Sequence, residues 1–201
     1  MDWRVYHAIY DVSLDHHWVG SFFNAVEKAS IPVMVVGTVF LWLLARPGGE
    51  RKWKLAAASG LAAAALALAV NLALHSIWDR PRPYESHDIR HPWSSATDAS
   101  FPSDHASASL AIAFAILAFD AVVGAVFLAV ALLIAIGRLF IGAHYPGDVL
   151  TSVAVALAAS FVVVRIARPL VAKLVRAFEH LTDPILRPLW RSRRQPNRPV
   201  T

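Results

Sequence analysis

Residues 106–137 read ASASLAIAFAILAFDAVVGAVFLAVALLIAIG and contain one charged residue, Asp120. As one straight helix this stretch would be about 48 Å long at 1.5 Å per residue, whereas the hydrocarbon core of a bilayer is about 30 Å thick. We therefore expect the chain to cross the membrane twice here, as a helical hairpin that turns near Asp120 and Gly124.

Three further apolar stretches have the composition of membrane spans. Residues 55–74 and 149–164 contain no charged side chain. Residues 31–45 fall short of the roughly 20 residues that a span needs, so this helix is expected to begin earlier, within residues 18–28. The predicted fold class is an all-α integral membrane helical bundle with about five spans.

Both ends of the chain differ from these spans. Residues 1–28 mix aromatic and aliphatic side chains with Asp, His, Glu and Lys, which is typical of an N-terminal interfacial helix; a soluble cap is the alternative. The residues after Pro184 are rich in Arg and Pro, a composition that favours disorder. We therefore expect a membrane domain over residues 1–184 and a basic, disordered tail over residues 185–201.

Composition limits the kinds of chemistry available. The chain is 57% hydrophobic and 16% charged, whereas soluble domains are roughly 45–50% apolar and about 25% charged. The absence of cysteine excludes disulfides, thiolate catalysis and Cys-type zinc sites. The formal charge of +5 indicates an anionic partner, which could be a nucleic acid, an anionic lipid or a phosphorylated substrate.

The distribution of Lys and Arg predicts the orientation in the membrane. Residues 46–54 hold four of them and residues 165–198 hold nine, so these two regions contain 13 of the 19 basic residues. With five spans both regions share one side, which the positive-inside rule makes cytoplasmic, together with the C-terminus. Because the tail follows a span, anionic lipid is a better partner for it than nucleic acid.

Three polar segments lie at span ends on the opposite, extracytoplasmic side. Residues 75–83 read HSIWDRPRP, residues 101–105 read FPSDH, and residues 137–148 read GRLFIGAHYPGD. Arginine forks bind phosphate oxygens, and the free N–H groups at a helix start bind anions. Taken singly, each segment also fits a basic turn, a helix cap or a loop histidine.

The third segment places two residue types that suit nucleophilic catalysis four positions apart. His144 and Asp148 can face one another across a helical turn. A carboxylate on one imidazole nitrogen fixes the tautomer and leaves the other nitrogen nucleophilic. Together the three segments favour phosphoryl transfer, in which one histidine attacks, another protonates the leaving oxygen, and cations stabilise the phosphate oxygens.

The three segments resemble the signature of the type 2 phosphatidic acid phosphatase superfamily. The family pattern is Lys, six residues, Arg-Pro; then Pro-Ser-Gly-His; then Ser-Arg, five residues, His, three residues, Asp. In this sequence six residues separate His75 from Arg82-Pro83, and Pro-Ser-Asp-His occupies residues 102–105. Five residues then separate Gly137-Arg138 from His144, and three more separate His144 from Asp148.

The resemblance implies a role for each matching residue. His144 would be the nucleophile that becomes phosphorylated, Asp148 would orient it, and His105 would be the general acid. The transferred phosphate would be bound by Arg82, Arg138, Ser103 and the backbone N–H of Asp104. The family works without a metal or cofactor, so none is expected.

Three positions depart from the family pattern. His75 replaces the lysine as a phosphate-binding residue, and Arg80 is expected to supply the missing positive charge beside the phosphate. Gly137 replaces the serine, which removes one hydroxyl donor. Asp104 replaces the glycine and would repel a bound phosphate unless it is protonated or turned away. The Pro-Ser-Asp-His version resembles the bacitracin-resistance branch, the bacterial undecaprenyl pyrophosphate phosphatases, which act on the outer face of the cytoplasmic membrane.

The predicted function is hydrolysis of a polyprenyl diphosphate, of the undecaprenyl type, to the monophosphate and inorganic phosphate. The alternative substrate is phosphatidylglycerophosphate, phosphatidic acid or another lipid phosphate. A vanadate-dependent haloperoxidase has a similar anion pocket, but those enzymes are soluble and larger. A transporter would place charge within its spans, and the spans over 55–74 and 149–164 hold none; an inactive anion-binding membrane protein is the last alternative.

Overall fold

The computed structural model describes residues 2–45, 51–89, 93–94 and 96–190, and all regular secondary structure within them is helical. The helices are α1 (Asp2–Asp15), α2 (His17–Leu44), α3 (Lys52–Ile77), α4 (Pro83–Ser86), α5 (Asp104–Leu117), α6 (Ala121–Phe140), α7 (Pro146–Phe161) and α8 (Arg168–Trp190). A π-helical segment, Val162–Ile166, extends α7. The prediction of an all-α membrane bundle is confirmed.

The predicted hairpin is formed by α5 and α6. The carboxylate of Asp120 accepts hydrogen bonds from the backbone N–H groups of Val122 and Val123 at 3.2 and 3.1 Å, and so caps α6. A Cβ built on Gly124 would lie 2.2 Å from Cα of Leu117. Only glycine lets the two helices approach this closely directly after the turn.

Within the described part of the chain, four helices and not five have the length and hydropathy of a membrane span: α2, α3, α6 and α7 with its extension. The third predicted span, α5, has 14 residues and is therefore about 21 Å long. It is the central helix, packed against α3, α6 and α7, and its residues 106–113 are nearly all buried. Its position inside the bundle explains how so short an apolar helix is accommodated.

The first span begins at His17, so the prediction that it starts before residue 31 is confirmed. The predicted interfacial segment 1–28 is therefore divided between α1 and the first part of α2. Helix α1 packs with its Tyr6 and Tyr10 against Tyr145 in the loop between α6 and α7.

Helix α8 packs across the other end of the bundle, on the start of α3. Lys54 of α3 is buried and binds Asp183 and Glu179 of α8 at 2.6 and 3.3 Å. A second apolar stripe of α8 is exposed, and the pattern is typical of an interfacial helix; it includes Leu170, Leu174, Phe178 and Leu181. The predicted tail boundary at residue 185 lies within this helix, while tail residues 191–201 lie outside the described part of the chain.

Candidate active site

His144 lies in the loop between α6 and α7 and is 2% exposed. Its Nδ1 is 2.7 Å from the carbonyl oxygen of Ser100, and its Nε2 is 3.3 Å from Nη1 of Arg82 and 3.1 Å from Nη2 of Arg138. A carbonyl only accepts and a guanidinium only donates, so Nδ1 carries the hydrogen and Nε2 accepts. The lone pair of Nε2 therefore points at two arginines.

The loop places His144 there by reversing direction at Gly142. This residue has a φ of +76°, a left-handed conformation that favours glycine, and a Cβ on it would lie 2.7 Å from the ring of Tyr10. Helix α7 then begins at Pro146, which suits a first helical position because its missing N–H would be unpaired there. The sharp turn and the helix start together place the imidazole at the end of the bundle.

Arg82 is held by backbone and side-chain acceptors on both sides. Its Nε donates to the carbonyl of Asp98 at 2.9 Å, and its Nη2 donates to the Asp98 carboxylate at 2.9 Å. Its Nη1 donates to the carbonyl of Ala143 at 3.1 Å in addition to its contact with His144. The guanidinium is therefore fixed, with one edge toward the imidazole.

Arg138 is buried at the end of α6 and donates through Nη1 to the carboxylate of Glu27 in α2. Its Nε is also buried and has no hydrogen-bond partner among the described residues. Two buried guanidiniums beside one neutral imidazole form a site for an anion with several oxygens, because such an anion can accept from both forks.

The electrostatic surroundings keep His144 neutral. Burial, and then the positive charges of Arg138 and Arg82, lower the pKa of His144 well below its usual value near 6.5. The imidazole is therefore unprotonated at neutral pH, which is the state in which Nε2 can act as a nucleophile.

Asp148 is placed differently from the direct contact that the spacing predicts. Its carboxylate lies 3.9 Å from Nδ1 of His144, beyond hydrogen-bonding distance, because the carbonyl of Ser100 already accepts from that nitrogen. The carboxylate instead accepts from the Ser100 hydroxyl at 2.6 Å and from the backbone N–H of Tyr145 at 2.9 Å. Asp148 thus contacts the residue that holds His144.

His105 lies on the first turn of α5 and lines an open cavity of about 390 Å³ together with Glu27. Because Glu27 binds Arg138, which contacts His144, the cavity adjoins the arginine pair. The predicted general acid and the predicted nucleophile are therefore brought to the same region, from α5 and from the loop before α7.

Ser103 and Asp104 are bound to protein groups. Ser103 caps α5 and its backbone N–H donates to the hydroxyl of Ser152 at 3.0 Å. The Asp104 carboxylate accepts from the side-chain amide of Asn71 at 2.7 Å. This contact explains how an aspartate is accommodated where the family pattern has glycine, since its charge is directed toward α3.

His75 and Arg80 also contact protein groups and not the arginine pair. His75 Nε2 lies 3.2 Å from the carbonyl of Pro102. Arg80 donates to Asp148 at 2.5 Å and to Asp2 at 2.8 Å, and its guanidinium lies 4.0 Å from the ring centre of Tyr145. The charge of Arg80, expected beside the phosphate, is balanced here by two carboxylates.

The third departure from the family pattern, Gly137, has a steric explanation. A Cβ at this position would lie 2.8 Å from Cδ1 of Phe23 in α2. Phe23 in turn stacks on Phe140 with ring centres 4.7 Å apart. A serine at position 137 would therefore displace Phe23 from this stack.

The sequence motifs did not identify four residues that complete the site: Asp2, Glu27, Asp98 and Ser100. Glu27 had a signal, since a carboxylate inside a long apolar helix is a functional candidate. The motifs do not single it out because residues 1–28 have the composition of an interfacial segment, in which charged side chains are common. Ser100 acts through its backbone carbonyl, a group that every residue has, so the sequence carries no sign of it.

Comparison with known proteins identifies the family of the chain. Residues 55–171, which contain all three polar segments, match the PAP2 superfamily. The chain is 28% identical over 186 residues to the undecaprenyl-diphosphatase BcrC of Bacillus subtilis (strain 168), covering 91% of this chain and 94% of that protein.

Two solved structures share the fold. The crystal structure of Aquifex aeolicus LpxE has a TM-score of 0.66 at 20% identity, over 79% of this chain and 92% of that one. The PAP2-type phosphatidylglycerolphosphate phosphatase of Bacillus subtilis has a TM-score of 0.58 at 18% identity, over 89% and 86% of the two chains. With its matched motifs, its span helices and its paired arginines around a neutral histidine, the chain belongs to the PAP2 superfamily and is a membrane enzyme that hydrolyses lipid phosphates.

Proposed function

We propose that the enzyme hydrolyses a polyprenyl diphosphate, of the undecaprenyl type, to the polyprenyl monophosphate and inorganic phosphate through a phosphohistidine at His144. The observation that carries the proposal is the lone pair of Nε2, which points between Arg82 and Arg138. A terminal phosphate bound by both forks would have its phosphorus in front of that lone pair.

In the first step Nε2 of His144 forms a bond to the terminal phosphorus. The bond between that phosphorus and the bridging oxygen breaks, and its electron pair stays on the bridging oxygen. His105, in its protonated form, gives this oxygen a proton as the polyprenyl monophosphate leaves. Arg82 and Arg138 stabilise the charge that spreads over the other three oxygens in the transition state.

In the second step water attacks the phosphohistidine. His105, now neutral, accepts a proton from the water, and the phosphorus–nitrogen bond breaks with its electron pair returning to Nε2. Inorganic phosphate leaves and His144 is neutral again. The carbonyl of Ser100 holds Nδ1–H throughout, so the same lone pair is restored after each turnover.

The choice of a diphosphate over other lipid phosphates is supported by the relative with the higher identity. BcrC of Bacillus subtilis is an undecaprenyl-diphosphatase and aligns with nearly the whole chain. One of the two solved relatives is a phosphatidylglycerolphosphate phosphatase. Both are at most 20% identical to this chain, so their similarity supports only the fold. A glycerophospholipid phosphate is therefore the second candidate.

The proposal also includes the side of the membrane on which the site works. The arginine pair and His144 lie where α6 ends and α7 begins, whereas Arg51, Lys52 and Lys54 lie at the opposite end, where α3 begins. The positive-inside rule makes the end with the basic residues cytoplasmic. The active site then faces the extracytoplasmic side.

The substrate assignment is tested by comparing turnover of the purified enzyme on undecaprenyl diphosphate, phosphatidylglycerophosphate and phosphatidic acid. We expect kcat/KM to be highest for the diphosphate by at least about tenfold, since only there is a second phosphate bonded directly to the leaving oxygen. His144→Ala serves as the inactive control for contaminating phosphatases. Higher kcat/KM on either glycerophospholipid would replace the diphosphate by the second candidate.

A further inference from the structure

The cavity beside His105 is formed by two walls that the structure fixes. One wall is the start of α2, where Asn24, Glu27 and Lys28 face the cavity; the other is the loop segment that carries Trp93, Ser94 and Ala96. A Cβ built on Gly20 would lie 2.4 Å from the ring of Trp93, so this loop packs directly on the backbone of α2.

The far side of the loop is held as well. The hydroxyl of Tyr84 donates to the carbonyl of Ala96 at 2.5 Å, and the Arg82 guanidinium donates to the carbonyl of Asp98 at 2.9 Å. The cavity wall is thus attached to one of the two arginines that contact His144. Its position relative to the reacting phosphorus is therefore set by the same contacts that set Arg82.

The direction of attack determines what occupies this cavity. In an in-line displacement the leaving oxygen lies on the side of phosphorus opposite Nε2 of His144. The general acid must be within reach of that oxygen. Since His105 lines the cavity, its proposed role as general acid requires the group attached to the leaving oxygen to lie on the side of this cavity.

The charge of the cavity indicates the nature of that group. Lys28 is exposed there, and no described carboxylate lies within ion-pairing distance of its ammonium group. Glu27, the acidic group of the same wall, is bound to Arg138. Asn24 lies one helical turn before Lys28, so its amide faces the same side. An ammonium and an amide suit an anionic leaving group, and in a diphosphate the leaving oxygen itself belongs to a phosphate that can accept from both.

Beyond the polar part the cavity becomes apolar. Ile31 and Pro32 of α2 line it, and Ile31 continues into an exposed stripe of α2 at four-residue spacing with Val35 and Val39. This stripe provides a path on which an isoprenoid chain can lie as it enters the hydrocarbon core. Along α2, Glu27 is followed by Lys28 and then by the apolar stripe. This order matches a retained phosphate beside Lys28, followed by a prenyl chain that lies on the stripe.

We propose that Lys28 and Asn24 form a subsite for the retained phosphate of a lipid diphosphate, next to His105, and that this subsite makes the enzyme prefer diphosphates to phosphomonoesters. The inference rests on the proposed function. Lys28 acts here as a specificity residue, by binding the phosphate that leaves with the lipid.

The test measures kcat/KM for a polyprenyl diphosphate and for the polyprenyl monophosphate of equal chain length, in the wild type, Lys28→Gln and Lys28→Arg. We expect Lys28→Gln to lower the ratio of the two values at least tenfold and Lys28→Arg to keep it within threefold. Lys173→Gln removes one exposed lysine from α8, at the opposite end of the bundle, and should leave the ratio unchanged. An unchanged ratio in Lys28→Gln would overturn the subsite.

A second measurement separates this inference from the substrate assignment. Methylenediphosphonate and orthophosphate are used as competitive inhibitors of whichever lipid phosphate the wild type hydrolyses. The subsite predicts that Lys28→Gln raises the inhibition constant of methylenediphosphonate at least fivefold more than that of orthophosphate. Equal changes for both inhibitors would reject the subsite even if the lipid diphosphate is the substrate. Unequal changes together with poor turnover of the lipid diphosphate would reject the substrate assignment and the preference, and would leave Lys28 as a binding site for a second phosphate.

Discussion

At the scale of single residues, the proposed role of His144 as nucleophile depends on its tautomer and charge. Its Nδ1 faces a carbonyl oxygen and its Nε2 faces two guanidiniums, which leaves the lone pair on Nε2. Burial and the two cations lower its pKa well below the usual value because they disfavour the imidazolium form. Protonation of His144 therefore requires a pH clearly below about 6.5.

Nitrogen-15 NMR of histidine-labelled enzyme in micelles measures both properties. We expect the His144 resonances, assigned by their loss in His144→Gln, to show a neutral ring with hydrogen on Nδ1 from pH 8 down through the ordinary histidine range near pH 6.5. As pH falls further the ring should become protonated and kcat/KM should fall with it. Hydrogen on Nε2, or a midpoint at or above 6.5, would contradict the assignment of Nε2 as nucleophile.

The sequence motifs predicted part of the arrangement around His144. The motifs pointed to His144, Arg82 and Arg138, and the structure places these three side chains in contact. The motifs predicted a direct contact between Asp148 and the imidazole of His144. In the structure the backbone carbonyl of Ser100 takes that place and accepts from Nδ1 of His144. Backbone groups carry no sequence signal, so the contact between Ser100 and His144 can be recognised only in the folded structure.

At the scale of elements, α1 holds the loop that carries His144. The Asp2 carboxylate accepts from the backbone N–H of Gly147 at 2.9 Å and binds Arg80 at 2.8 Å, while Arg80 also binds Asp148. The hydroxyl of Tyr6 lies 3.4 Å from the carbonyl of Gly142. These contacts fix both ends of the loop that carries His144.

We therefore expect Asp2→Asn to lower kcat by about tenfold to 100-fold, because a small displacement of a nucleophile has a cost of that order. KM should change little, since Asp2 contacts no group assigned to the substrate. The measurement is steady-state kinetics with a thermal unfolding control. Asp11→Asn is the matched variant on the exposed side of α1, where Asp11 pairs with His7; an equal loss of kcat in both variants would refute a specific role for Asp2.

Elements differed in how well the sequence predicted them. The sequence predicts the hairpin turn at Asp120 because a 32-residue apolar helix is too long for one crossing and Asp120 is its one charged residue, and Asp120 does cap α6. Helix α8 was not predicted, since its apolar residues are interspersed with basic ones and Pro184 and Pro188 lie within it. Its buried side includes Val171 and Val175, and its contact with Lys54 could be seen only once α3 was in place.

At the scale of the whole molecule, the two ends of the helical bundle differ. Loops and helix ends from distant parts of the sequence meet at the end that carries His144 and the arginine pair, which we call the chemical end. Helix α8 and the start of α3 form the opposite, basic end. Hydropathy predicted the bundle, but it could not show that α5 is a short central helix, because a buried helix and a lipid-facing one are equally apolar. The short α5 places His105 beside the cavity at the chemical end.

The most direct test of the whole account is to identify the residue that carries the transferred phosphate. Enzyme mixed with polyprenyl diphosphate labelled with ³²P at the terminal phosphate is quenched in alkali within the first turnover, digested and sequenced by mass spectrometry. The account predicts label that survives alkali, is lost in acid and maps to His144, with none in His144→Ala. Label on any other residue, or phosphate release by His144→Ala at the wild-type rate, would contradict it.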